Sequence, residues 1–217
     1  MSVIAIDGPA ASGKSAIGTA LASRLGFRFF DTGAMYRAVT WLALQNGVDV
    51  NDESALAELA DSATLDVAES PIGTRVLVNG ADATPYLRRT DVEASVSLVS
   101  RVPAVRAALV RIQRALALQG GVVMAGRDIG SVVLPDADLK IYLDASRDVR
   151  AHRRAEQLRE TGEQPEMDVL IADLARRDGI DSTRETSPLT AAPGAVIIQT
   201  DDLSIEEVVA RVLDLAA

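Results

Sequence analysis

A glycine-rich pattern with a single lysine near the amino terminus constrains this chain more than any other feature. The apolar run at residues 3–6 is followed by GPAASGKS at residues 8–15, and a helical pattern starts at the lysine. Glycines let the backbone turn with its N–H groups facing inward, where they and a helix N-terminus can hold phosphate. A strand, Gly-x4-Gly-Lys-Ser and a helix in this order predict a nucleoside triphosphate site rather than a tight turn with an incidental lysine.

The lysine and the serine that end this loop have specific chemical roles in the predicted site. Lys14 is expected to reach the β- and γ-phosphates as a catalytic charge, and Ser15 to ligate Mg²⁺ with the phosphates. The residues predicted to bind the triphosphate are Gly8, Pro9, Ala10, Ala11, Ser12, Gly13, Lys14, Ser15 and Ala16.

Apolar runs alternate with helical patterns along most of the chain, which predicts an α/β fold. The predicted strands are residues 3–6, 27–30, 121–125, 139–143 and 196–199. The predicted helices are residues 14–25, 34–45 and 104–119, and a terminal helix that Ser204 and Glu207 open with a capping box. We therefore expect a three-layer core with a parallel five-stranded sheet.

Two segments interrupt this alternation. Residues 62–95 contain Asn79-Gly80 between β-forming residues, a strong hairpin signal, and are predicted to form a small antiparallel β insert. Residues 155–181 are charged and look irregular, with Gly162 and Pro165, and are predicted to form a mobile lid. The core would then comprise residues 1–61 and 96–217.

Composition narrows the class of protein. The net charge of −9 disfavours general nucleic-acid binding, and the absence of cysteine excludes disulfides and thiolate metal sites. No run approaches the ~20 apolar residues of a membrane helix, and no signal peptide is visible. We expect a soluble, cytoplasmic protein, active as a monomer, without nucleic-acid or membrane partners.

The remaining motifs distinguish among proteins with this loop. Neither Lys14 nor Lys140 lies in an Asn-Lys-x-Asp guanine-reading sequence, which disfavours a GTPase switch. The strand that ends at Asp144 lacks the following glutamate expected of a motor ATPase. A small-molecule kinase instead needs a second anion site for the acceptor. Polar clusters after strands or near the lid are candidates, although any single arginine could be a solvated surface charge: Thr32, Arg37, Arg127, Asp128, Arg177, Asp181 and Arg184.

Taken together, the motifs resemble those of the bacterial cytidylate kinase family, nucleoside-monophosphate kinases that phosphorylate CMP and dCMP with ATP. The matching stretches are IDGPAASGKS, DTGAMYRAVT, VNGADATPYLRR, VPAVRAALVRIQR, AGRDIGSVVLPDADLKIYLDAS and RRDGIDSTRETSPL. They run from residue 6 to residue 189 in the family's order. Family members also have an inserted small β domain, which the Asn-Gly hairpin suggests independently.

The resemblance implies roles for individual residues. Arg37, Arg127 and Arg184 would clamp the acceptor phosphate, the last two as catalytic charges. Thr32 would lie beside that phosphate, at a position where relatives frequently have serine. The remaining implied contacts are Ser97, Arg106 and Asp128 for cytosine, Arg177 and Asp181 for ribose, and Arg150, Arg153 and Arg154 for the ATP phosphates. The Gly-Ile pair between Asp178 and Asp181 replaces charged residues found in some relatives, which leaves the detail of ribose binding open.

The cytosine assignment is chemically consistent. A carboxylate can accept from the N4 amino group, and an arginine can donate to N3 and O2. Uracil presents the reverse pattern at N3 and position 4. The sequence therefore favours a CMP or dCMP kinase, and leaves two alternatives: a related kinase with another acceptor such as UMP, and a non-catalytic nucleotide-binding regulatory module.

Overall fold

The chain folds, as predicted, into an α/β structure built on a parallel β-sheet. The computed structural model describes residues 2–70, 73–160 and 162–216. Residues 1, 71–72, 161 and 217, which fall within the predicted core, insert and lid, lie outside the described part. In the described part the strands are β1 (Val3–Asp7), β2 (Arg28–Asp31), β3 (Leu65–Ser70), β4 (Gly73–Val78), β5 (Ala81–Asp82), β6 (Val122–Gly126), β7 (Leu139–Asp144) and β8 (Val196–Gln199).

Eight α-helices connect or flank these strands in the same part of the chain. They are α1 (Lys14–Leu25), α2 (Thr32–Gln45), α3 (Glu53–Ser62), α4 (Thr90–Ser100), α5 (Pro103–Ala117), α6 (Arg147–Glu160), α7 (Met167–Thr183) and α8 (Ile205–Ala216). A π-helical turn, Ile129–Val133, follows β6. Ser204 and Glu207 form the predicted capping box before α8, with Glu207 N–H donating to Ser204 Oγ at 3.2 Å. Among the described helices, none combines the length and the apolar composition of a transmembrane segment.

The main sheet has the order β2-β6-β1-β7-β8, and every neighbouring pair is parallel. This confirms the predicted five-stranded parallel sheet. Strand β1 is central, and its Ile4 and Ile6 pack with Leu21 of α1 and Val212 of α8 in one apolar cluster. Because all strands run the same way, their carboxyl ends share one edge, where ligands bind in open α/β sheets.

The predicted antiparallel insert is confirmed as the three-stranded sheet β3-β4-β5. Asn79 (φ 51°) and Gly80 (φ 80°) form the turn between β4 and β5, where Val78 pairs with Ala81. Positive φ at both central residues is typical of the hairpin turn that Asn-Gly favours. Val76 and Val78 of β4 belong to the same buried cluster as Met35 of α2, so the insert and the core share apolar packing.

The predicted irregularity of residues 155–181 is wrong, because most of the described residues in this range are helical. It comprises the end of α6 and most of α7, joined by a short connection. Met167, Leu170, Ile171 and Leu174 pack against the loop before α1, in a cluster that contains Ala10. Their i, i+3, i+4, i+7 spacing is the helical signal, which the charged residues around it obscured. Helices α3 and α4 were also not predicted.

Candidate active site

The loop between β1 and α1 has the geometry of a phosphate cradle. Gly8 has φ +150°, and a Cβ there would lie 2.2 Å from the Leu143 carbonyl oxygen, so only glycine fits. Gly13 precedes α1 with φ +96° in the left-handed region. The first helical N–H groups of α1 have no intrahelical acceptor, so this end of α1 offers free donors and a positive dipole. The loop can therefore bind phosphate through its backbone.

Lys14 is buried at the start of α1 and folds back over this loop. Its Nζ donates to the Pro9 carbonyl oxygen at 2.5 Å and to Ser12 Oγ at 3.3 Å. Burial, and next the charge of Arg127, lower the pKa of Lys14 well below its ordinary value, although Asp31 and Asp7 oppose this. An anionic phosphate beside Nζ would favour the charged form.

The hydroxyl of Ser15 faces a carboxylate. Ser15 Oγ donates to Asp31 Oδ2 at 3.1 Å. Asp31 also caps α2 by accepting from the Gly33 N–H at 2.9 Å, and it pairs with Arg37 at 3.2 Å. Burial favours the neutral acid, but Arg37, Arg88 and Lys14 outweigh it and lower the pKa of Asp31. A hydroxyl and an ionised carboxylate therefore stand together beside the phosphate loop.

Three buried ionic groups from separate parts of the chain meet beyond β6. Arg106 of α5 donates to Asp128 Oδ2 in a short contact, and Arg184 Nη2 lies 3.6 Å from Asp128 Oδ1. The side chains of these three residues are 3–5% exposed. The Arg106 guanidinium lies 5.5 Å from the centroid of the Tyr36 ring. A hydrogen-bond acceptor and two donors are thus presented side by side in a pocket largely closed to solvent.

Arg127 is held by helix α7. Its Nε donates to Asp181 Oδ2 of α7 at 2.8 Å. Burial lowers the pKa of Arg127, but the Asp181 partner outweighs it and the net pKa is raised. Thr32 Oγ1, at the start of α2, donates to the Ala125 carbonyl oxygen at 2.9 Å. Ser97 of α4 is buried, and it lines a cleft that Thr32 and Arg127 also line.

Glu93 of α4, which sequence reasoning missed, joins both sides of the cleft. Its carboxylate lies 2.9 Å from Arg177 Nη1 and 3.1 Å from Arg88 Nη1, and Arg37 and Arg154 approach within 3.9 and 4.0 Å. Burial opposes ionisation, but the four arginines outweigh it and hold the pKa of Glu93 at about 2. One carboxylate therefore connects arginines of α2, α6 and α7.

Asp7 was also missed, at the carboxyl end of β1. Its Oδ1 accepts from the Ile129 N–H at 2.7 Å and its Oδ2 from the Gly130 N–H at 2.8 Å. Burial raises the pKa of Asp7 to about 6, against the effect of these two hydrogen bonds. The position of Asp7 and Asp31 at strand ends was a signal for both, whereas nothing in the local sequence pointed to Glu93.

The three arginines predicted to approach the ATP phosphates lie in different surroundings. Arg150 is buried behind the loop, where it donates to the Ala10 and Ala145 carbonyl oxygens and pairs with Asp178 at 2.7 Å; it does not line the cleft. Arg153 donates to the Thr200 carbonyl oxygen at 2.5 Å and lines the cleft. Arg154 also lines it, near Glu93. Two of the three are thus placed where a ligand can reach them.

A single cleft of about 860 Å³ brings most predicted residues together. Gly8, Pro9 and Arg150 do not line it; the predicted residues that do are Ala10, Ala11, Ser12, Gly13, Lys14, Ser15, Ala16, Thr32, Arg37, Ser97, Arg106, Arg127, Asp128, Arg153, Arg154, Arg177, Asp181 and Arg184. Buried nitrogens without a hydrogen-bond partner include the Nε atoms of Arg37, Arg106 and Arg177. Buried polar groups are normally paired, so these donors fit a ligand that completes the site.

Comparisons with a family model and with known proteins agree on one family. A family model described as cytidylate kinase matches residues 4–217. A cytidylate kinase of Geobacillus kaustophilus (strain HTA426) is 51% identical over 212 residues, which cover 98% of this chain and 95% of that protein. A cytidylate kinase of Mycolicibacterium paratuberculosis (strain ATCC BAA-968 / K-10) is 46% identical over 214 residues, covering 98% and 94%.

The fold also has counterparts among solved structures. A shikimate kinase from Bacteroides thetaiotaomicron, solved at 1.7 Å, matches 99% of this chain and 98% of its own with a TM-score of 0.50. The sequence identity is 16%, so this likeness concerns the fold alone.

Proposed function

Because the chain belongs to the cytidylate kinase family, we propose that it transfers the γ-phosphoryl group of ATP to CMP or dCMP, giving ADP and CDP or dCDP. The observation that carries the proposal is the buried group of Arg106, Asp128 and Arg184, which lies in the same cleft as residues 10–15 of the glycine-rich loop. The cleft thus offers a complementary edge for cytosine and a cradle for the phosphates of the donor.

The cytosine ring is recognised by charge-assisted hydrogen bonds. Asp128 accepts from the N4 amino group and Arg106 donates to N3 and O2, with Ser97 of α4 beside them. UMP would bring a carbonyl oxygen against the Asp128 carboxylate and leave buried donors unpaired. Sites that bond a substrate N–H can reject an analogue without it by about 10⁴-fold; we expect a smaller factor here, roughly 10² to 10³, because the lid and insert can adapt.

Phosphoryl transfer proceeds by positioning and charge neutralisation. An oxygen of the acceptor phosphate attacks the γ-phosphorus in line, the bond from that phosphorus to the β–γ bridging oxygen breaks, and ADP leaves with that electron pair. The acceptor phosphate has a second pKa of ~6 and is mostly dianionic at neutral pH, so no base is required. Arg37, Arg127 and Arg184 hold this phosphate with Thr32 beside it, and Lys14 stabilises charge that develops on the transferred group. Arg177 and Asp181 contact the ribose.

The donor side combines backbone donors with oxygen ligands. The residues Gly8 to Ala16 hold the ATP phosphates, and Arg153 and Arg154 approach them from the lid side. The Ser15 hydroxyl, supported by Asp31, fits Mg²⁺, because that ion prefers hard oxygen ligands and is usually shared with phosphate. When bound, Mg²⁺ neutralises phosphate charge. Arg150 supports the loop from behind through the Ala10 carbonyl oxygen.

The end of α6 and most of α7, within the predicted residues 155–181, form the lid. Closure over both nucleotides would exclude water and so limit wasteful hydrolysis of ATP. Residues 62–95 form the insert on the acceptor side. We place the reaction in the cytoplasm, where ATP and nucleoside monophosphates occur, and propose that the protein acts as a monomer.

The test is acceptor-dependent release of ADP. The purified protein is incubated with ATP and Mg²⁺, and in turn with CMP, dCMP, UMP, AMP or no acceptor. We expect ADP release with CMP and dCMP that exceeds release with UMP by roughly 10²-fold or more in kcat/KM. Preferred use of UMP would indicate a kinase with another acceptor. Binding of ATP without any acceptor-dependent ADP would indicate a regulatory module and overturn the proposal.

A further inference from the structure

Asp7 is a buried carboxylate that is not among the predicted substrate contacts. It accepts hydrogen bonds from the backbone directly after two of those contacts, Arg127 and Asp128. Asp7 ends β1 directly before Gly8 and is 2% exposed. Its two carboxylate oxygens each accept one backbone N–H, from Ile129 at 2.7 Å and from Gly130 at 2.8 Å. These donors belong to the start of the π-helical turn.

Strand β1 also fixes the start of the segment that leads from β6 into the π-helical turn. Asp7 is the parallel partner of Gly126, the last residue of β6. Arg127 and Asp128 lie between Gly126 and Ile129, so the short stretch that carries them is attached to β1 at both ends. A Cβ on Gly126 would lie 2.6 Å from Thr32 Oγ1, which leaves this stretch little room to shift toward α2.

Only an ionised carboxylate satisfies both donors. The isosteric amide offers one oxygen, and its NH₂ group would face the second N–H, which leaves a buried donor unpaired. The pKa of Asp7 at about 6 keeps the carboxylate mostly ionised at neutral pH despite its burial. The residue therefore does more than fill space beneath the sheet edge.

We propose that Asp7 is a positioning residue, which fixes Arg127 and Asp128 against the phosphate loop so that the acceptor is aligned with the donor. The inference rests on the proposed function, since it assigns these two residues to the acceptor. Asp7 itself does not line the cleft. It acts through the turn, and Gly8 beside it belongs to the donor cradle.

The test compares Asp7→Asn with a matched control. Asp138→Asn alters another carboxylate that accepts two backbone N–H groups next to β1, from Ser2 at 2.7 Å and Val3 at 2.9 Å, but at the opposite, exposed end of that strand. We expect Asp7→Asn to raise KM for CMP by about 10-fold or more and to lower kcat. The CMP/UMP ratio of kcat/KM should fall, because Asp128 is no longer aimed, while KM for ATP stays within about 3-fold. Asp138→Asn should leave all these constants unchanged.

A selective effect on CMP is required by the proposal. Equal changes in KM for CMP and ATP, or an unchanged CMP/UMP ratio, would show a merely structural role and overturn it. Hydrogen exchange of the wild-type protein gives a second measurement that needs no variant: the Ile129 and Gly130 amides should be protected without nucleotide, and rapid exchange there would refute the anchor. If the wild-type protein shows no CMP-dependent ADP release, the proposed function fails instead, so the two failures are distinguishable.

Discussion

The four arginines around Glu93 allow a quantitative prediction of how the free energy of unfolding changes at acid pH. Glu93→Gln removes the charge and keeps the shape of a side chain that is 10% exposed. In the folded protein burial opposes ionisation of Glu93, but the arginines hold its pKa at about 2, against an ordinary value of 4.5. A carboxyl whose pKa is lowered by folding stabilises the native state above its unfolded pKa. That contribution disappears as the pH falls from about 4.5 toward 2.

The magnitude follows from these two values. The full contribution of Glu93 ionisation is the shift multiplied by about 1.36 kcal/mol per pKa unit, or about 3 kcal/mol. Because proton binding is gradual, about 1 kcal/mol of this contribution is lost between pH 7 and pH 3.5. The wild-type protein should therefore be more stable than Glu93→Gln at pH 7, and this difference in the free energy of unfolding should shrink by about 1 kcal/mol at pH 3.5.

Urea unfolding followed by circular dichroism, without nucleotide, measures this difference at both pH values. Glu58→Gln alters an exposed glutamate of α3 and serves as the control, with an expected change within about 0.5 kcal/mol at each pH. A wild-type advantage over Glu93→Gln that is the same at pH 7 and pH 3.5 would refute the reasoning. The arginines would then not lower the pKa of this carboxyl in solution.

Three further predictions concern the reaction. Lys14→Ala should lower kcat by roughly 10² or more at an unchanged melting temperature, because a preorganised charge beside the transferred group is lost; near-normal turnover in a folded variant would contradict its catalytic assignment. Asp128→Asn should lower the CMP/UMP ratio of kcat/KM, mainly because kcat/KM for CMP falls, since an amide can present either a donor or an acceptor to the base; an unchanged ratio would show that Asp128 does not recognise cytosine. Residues 155–181 should gain protection from hydrogen exchange when ATP and CMP are both added, and equal protection in the two states would count against a lid.

Motifs with a local chemical meaning could be predicted from the chain alone. Lys14 and Ser15 belong to a pattern whose glycines and lysine act within one loop, so a short stretch suffices. Asn79-Gly80 predicted a hairpin because both residues tolerate positive φ, and the structure has that turn. The helical character of α7 was available in the spacing of its apolar residues but was missed because the charges nearby drew the interpretation toward a loop.

The sequence by itself determined the main-sheet strands, their alternation with helices and the glycine-rich loop, because alternating burial and local backbone preferences are written into neighbouring residues. Only the tertiary structure decided which charges meet. Arg106 and Asp128 are 22 residues apart and become a buried pair, and Glu93 meets Arg177 from 84 residues away. Such contacts depend on how helices from different parts of the chain pack over the sheet edge. In that enclosed space, burial and opposing charge set the pKa of Glu93, and neither exists until the fold is complete.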